Sequence, residues 1–159
     1  MVWFNTGKTI MLDPSFNWGT AMPEAPFALL LDKIFIALMK TSYVINIDTH
    51  LDFADVVASE IVATGYVGRG DAQALASKTV AVDNTNDRGE FDAADPTYTA
   101  IGNGANDTFD EIVVGRENDT TPTDASSPLI AHATVASTLT NGGDVTLQLN
   151  AEGLLQITA

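Results

Sequence analysis

The sequence predicts a mainly all-β fold: a β-sandwich or small barrel with one short helix and an extended N-terminal arm. Three observations carry that expectation. Short apolar stretches alternate with polar residues along most of the chain, the period of a strand with one buried face. Gly, Asp, Asn or Thr bounds each stretch, and short strands spaced by such turns mark a sandwich or barrel. The first residues differ in texture, with Pro14, Pro23 and Pro26 set among Trp3, Phe4, Phe16 and Trp18.

Taken in order, residues 1–26 hold too much proline for regular helix or a central strand. Their aromatics need an apolar partner. The segment therefore reads as an extended arm that packs on its own domain or on a neighbouring subunit. The division is an arm over residues 1–32 and a sandwich-like domain over 33–159.

Residues 27–40 fit helix or strand by periodicity alone. From Lys33, Ile34, Ile36 and Leu38 fall on one face and Phe35, Ala37 and Met39 on the other. Both faces are apolar, so a strand here is buried on both sides. Residues 52–59 (DFADVVAS) are the short helix, with Phe53, Val56 and Val57 on one side and Asp48 or Thr49 as the cap. Strands are expected over 60–67, 75–82, 97–101, 109–115, 129–135, 145–149 and 154–157. In them Ile112 faces with Val114, and Val145, Leu147 and Leu149 point away from Thr146 and Gln148. Residues 83–95 form a polar hairpin or loop, 101–107 a turn, 116–128 a long exposed loop, and 141–143 and 151–153 turns.

The 159 residues suit one domain, or one domain and an arm. That length buries a core without staples. There is no cysteine, so no disulfide, thiolate site or thiol nucleophile is expected, and stability must come from packing, strand pairing or oligomerisation. The net charge is −14 and is unevenly spread. Residues 1–50 carry −1 and the remainder −13. Such a body repels nucleic acid and anionic membranes, so neither is expected as a partner. MVWFNTGKT lacks a basic region followed by an apolar core, so no secretory signal is expected. Residues 27–39 contain Asp32 and Lys33 and are too short to span a bilayer.

Few residue sets point to chemistry. Asp48, His50 and Asp52 alternate and would share a face on a strand, but a turn or helix cap explains them as well. His132 has no ligand at metal spacing. Asp83, Asp87, Glu90 and Asp92 suggest a loose calcium loop, yet the EF-hand spacing fails because Arg88 stands where glycine is needed. GYVGRG (65–70) has the wrong glycine spacing for a dinucleotide fingerprint. Arg69-Gly70-Asp71 is an adhesion tripeptide by letter only. Asn106-Asp107-Thr108 and Asn118-Asp119-Thr120 match the glycosylation pattern, which reads as loop sequence without a secretory signal. No Gly-x-Ser-x-Gly elbow is present. The expectation is no enzyme, no catalytic residues, no cofactor and no bound metal.

The series KIFIALMKTSY, DTH, EIVATGYVGRG, LASKTVAVD, FDEIVVGRE, SPLIAHA and VTLQLNAEGLLQIT, over about residues 33–158, resembles a group of small virion structural proteins of tailed bacteriophages. The arm before residue 33, and Tyr98 where Trp is more usual, depart from that pattern. The resemblance implies a capsid cement or head-decoration protein on the outer capsid surface. Its partners would be the major capsid protein and further copies of itself, as a homotrimer or homodimer. Contact residues are expected in the arm: Trp3, Phe4, Phe16 and Trp18. The alternatives are a tail, neck or spike component of the same particle, or a carbohydrate- or calcium-binding module.

Overall fold

The computed structural model describes residues 2–3, 33–67, 75–86, 88–117, 125, 127–151 and 153–158. The fold is all-β, built of small antiparallel sheets. Strands β1 (Val2–Trp3), β2 (Lys33–Lys40), β6 (Thr108–Glu117) and β7 (Leu129–Leu139) form a four-stranded sheet in the order β1-β7-β6-β2. Strands β3 (Thr79–Asp83), β4 (Arg88–Asp92) and β9 (Leu155–Thr158) form a three-stranded sheet in the order β3-β4-β9. β5 (Thr97–Tyr98) pairs with β8 (Val145–Thr146).

β2 sets the plan. Every residue from Ile34 to Met39 is fully buried, so both apolar faces of the strand are covered as the alternation predicts. Ile34, Ile36 and Leu38 join Phe109, Ile112 and Val114 of β6 in the main core. Phe91 of β4, Tyr98 of β5 and Leu155 of β9 close over it from the smaller sheets. The result is sandwich-like, with the larger sheet as one layer. On the opposite face Phe35, Ala37 and Met39 meet Val113, Leu129, Phe53 and Val56 in a smaller core. Among the described residues, the segment from Tyr43 to Val56 covers this side. Gly115 is required here, because a Cβ on it would run into the Phe35 ring.

β2 is nonetheless the last strand of its sheet. Its far edge would leave backbone groups unpaired in the core, which is costly. Four groups from outside the sheet bond to it. Leu75 N–H donates to the Ile34 carbonyl (2.8 Å) and Ile61 N–H to the Leu38 carbonyl (3.0 Å). The Tyr98 hydroxyl donates to the Ile36 carbonyl (3.2 Å), and Leu38 N–H donates to the Tyr66 hydroxyl (3.0 Å).

Several expected elements change in detail. Residues 53–59 form two successive 3-10 turns, Phe53–Asp55 and Val57–Ser59, and not one α-helix. The cap is Asp52, where Asp48 or Thr49 was expected. The Asp52 carboxylate accepts from Ala54 N–H, and Asp55 reaches back to the Asp52 N–H. Asp55 also holds Leu51 N–H at 2.8 Å, which fixes the chain before a full α-turn begins. Residues 60–67 are not a strand. They keep the strand-like alternation, with Ile61 and Ala63 buried and Val62 exposed, but make one bridge, Met39 to Glu60. The Asp107 carboxylate and the Ala105 carbonyl take their amides instead. The polar run over 83–95 is a hairpin, β3 to β4, in unbroken register from Thr79↔Asp92 to Asp83↔Arg88. Only Val145–Thr146 of 145–149 lies in a ladder. Leu147 N–H extends it to the Pro96 carbonyl, and Leu149 N–H ends on Asp95. Among the described residues no helix is long and apolar enough to cross a membrane.

Candidate functional site

β7 outruns its partners. After a one-residue shift at Ile130 it is in register with β6 from Ala131 to Thr134, then regains it only at Thr138↔Phe109. Val135, Ala136 and Ser137 therefore stand opposite the single residue Asp110, a large bulge. The Thr138 hydroxyl donates to the Ala136 carbonyl and closes the bulge locally. The displaced strand parts from residues 145–149, and an open groove of about 430 Å³ lies between them. Phe109 and Ile112 form its floor, Val135 and Ala136 one wall, and Leu147 and Leu149 the other. Thr138, Thr146 and Gln148 supply the polar atoms, and among the described residues no charged side chain lines it. On a chain of net charge −14 this is a neutral, apolar opening onto the main core. Its lining suits an apolar group, with the hydroxyls of Thr138 and Thr146 and the amide of Gln148 at hand for hydrogen bonds.

The titratable groups gather on the opposite face. Glu111 of β6 and His132 of β7 pair at 2.6 Å between Oε1 and Nδ1, both mostly buried. Nearby, the Tyr43 ring stacks on His50 (5.7 Å, 21°). His50 Nδ1 lies 3.1 Å from the Tyr43 hydroxyl and accepts from Asn46 N–H. Burial, and then the Glu111 carboxylate, push the Tyr43 hydroxyl well above its ordinary value. Sequence spacing gave no sign of these pairs, because strand register creates one and a loop stack the other.

The metal candidates do not assemble. Asp52 serves as a cap and His50 as a partner of Tyr43, and no group of three His, Cys, Asp or Glu able to hold a metal ion occurs among the described residues. In the 83–92 hairpin a guanidinium occupies the place a cation would take. Arg88 Nε lies 3.1 Å from Asp83 and 2.7 Å from Glu90. Asn86, the nearby backbone amides and Arg88 together hold the Asp83 carboxyl below its usual range. Asp92 faces Thr79 in the ladder, and Asp87 lies outside the described residues.

Of the four expected contact aromatics, Trp3 is placed by its backbone. It pairs with Ala131, and Val2 with His132, so β1 is an edge strand on β7. Phe4, Phe16 and Trp18 lie outside the described residues, as does Arg69-Gly70-Asp71. The Val135–Ser137 bulge and the groove it opens were missed by sequence reasoning. The half-buried pattern of 145–149 was the one signal pointing there. A scan against protein-family models, a search of the curated proteins and a search of the solved structures found nothing that matches the chain.

Proposed function

We propose that this chain is a virion structural protein of the capsid cement type, which binds the outside of a major capsid protein lattice and braces the head. The observation that carries the reading is the groove between the β7 bulge and residues 145–149. Among the described residues its lining is apolar and uncharged, on an otherwise acidic molecule. A loop or arm of a capsid subunit would place apolar side chains over Phe109, Ile112 and Leu147. The acids would stay in water, and an outer head surface tolerates them because the DNA lies on the other side of the shell. The resemblance over residues 33–158 points the same way, and so does the aromatic content of the first residues, which β1 ties to the same strand. Many weak copies on one lattice act through avidity.

The test is binding to undecorated heads purified from the phage that encodes the chain. Co-sedimentation and a raised disruption temperature of the heads are expected. Leu147→Asp, which puts a charge in the groove, should abolish binding while circular dichroism stays unchanged. Heads that neither bind nor gain stability from the wild-type protein would reject the reading. Copy number in purified particles separates cement, at hundreds, from a tail, neck or spike part, at a few to dozens.

A further inference from the structure

We infer that two copies of this protein join through the far edge of β3, strand to strand and antiparallel, into one continuous sheet. This concerns the free protein in solution and stands apart from the virion reading.

The inference comes from comparing the sheet edges. Exposed edges invite pairing with another chain, so proteins guard them with bulges, prolines, inward charges or covering segments. β2 is covered by Leu75, Ile61, Tyr66 and Tyr98. β7 carries β1 on its first half and the Val135–Ser137 bulge on its second. Among the described residues, β3 has none of these guards. It pairs with β4 over five residues without a register shift. Among the described residues, none of the backbone hydrogen bonds outside the ladders involves Thr79–Asp83. Thr79, Val80 and Ala81 are exposed, with 47% of Val80 in solvent. Thr79-Val80-Ala81-Val82 is uncharged and rich in β-branched residues, which suit a strand.

Charge selects the occupant. Lys78 precedes the strand and Asp83 ends it. A parallel neighbour would set like charges side by side. An antiparallel copy brings the Lys78 end of one strand to the Asp83 end of the other. Residues opposite each other in a sheet share a face, so the two-fold axis must pass through a residue pair. Centred on Ala81, it sets Val80 against Val82 of the second copy and Thr79 against Asp83 of the second copy. No like charges then stand opposite each other. A strand pair this short makes a small interface, so the dimer is weak and concentration-dependent. Repulsion between two bodies of charge −14 opposes it, and salt screens that repulsion.

Sedimentation velocity of the full chain over a hundredfold concentration range, at low and at high salt, tests this. The expected result is a monomer–dimer equilibrium in which the dimer fraction rises with concentration and with salt. Ala81→Lys and Ala81→Asp each set like charges across the axis and should each be monomeric, with unchanged circular dichroism. An equal mixture of the two should associate again. Hydrogen exchange should slow at β3 amides as concentration rises. A chain that stays monomeric throughout, a dimer indifferent to both variants, a mixture that fails to associate, or a dimer without protection at β3 would overturn the proposal.

Discussion

β2 and β3 are both terminal strands of their sheets, yet they meet opposite fates. β2 has no exposed apolar residue from Ile34 to Met39, while β3 is in solvent at Thr79, Val80 and Ala81. Position in the hydrogen-bond order does not decide burial. What decides it is whether other parts of the chain supply donors and acceptors for the free edge. The β2 edge receives two tyrosine hydroxyl bonds and two loop amides. A sequence with apolar residues on both faces forces that arrangement, because burying an unpaired amide or carbonyl costs about 1–3 kcal/mol.

The sharpest way to break the contrast is truncation. Ile36→Ala should destabilise by about 2–5 kcal/mol, read by denaturant unfolding, because the cavity is walled by both layers. Val80→Ala should change stability by no more than about 0.5 kcal/mol, since its side chain already stands half in water. Similar losses at the two sites would remove the distinction.

A second variant tests the edge cover itself. Tyr66→Phe keeps the ring beside Tyr98, 5.8 Å between centroids, but removes the acceptor for Leu38 N–H and the donor to Glu60. A loss of about 1–3 kcal/mol is expected, with unfolding again as the measurement. A neutral result would mean that water fills the gap freely.

Alkaline titration sharpens the same point. All three tyrosines of the chain have hydroxyls pushed up from their ordinary value near 10, first by burial, then by Glu111 at Tyr43 and by Glu60 at Tyr66 and Tyr98. A raised folded-state value favours the neutral form. Its stabilising effect is whole below the ordinary value and is lost as pH rises past it. Tyrosinate absorbance should therefore stay low past pH 10 and then rise together with loss of near-ultraviolet dichroism. A gradual, independent rise from pH 9 would contradict burial of these rings.

The smallest effect is expected at Asp55. The Leu51 and Asp52 amides hold its carboxyl below the usual range. Depression stabilises the fold above the ordinary carboxylate value, and that contribution disappears as pH falls through the lowered one. Asp55→Asn should lower the melting temperature slightly at neutral pH, and the difference from wild type should vanish in strong acid.

The all-β class and the double burial of β2 were legible in the sequence, because KIFIALM has no polar residue on either face. The shared face of Ile112 and Val114 and the turn of the hairpin or loop expected over 83–95 were legible for the same kind of reason: a period of two and a turn-forming stretch. Residues 60–67 misled because alternation reports which side chains are buried, not whether a partner strand lies alongside. Residues 53–59 misled because a carboxylate four positions on can claim the first amides and shorten the turn. The groove was hidden, since it depends on a slip between β6 and β7 that neither strand encodes alone.

β2 meets β6 across almost half the chain, from Lys33↔Glu117 to Lys40↔Phe109. Closing so long a loop comes before the gain from pairing, which makes folding slow. During synthesis β2 leaves the ribosome well before its partner strand exists. In that interval a segment that is greasy on both sides has no mate, which makes KIFIALM the stretch of the nascent chain most exposed to clumping.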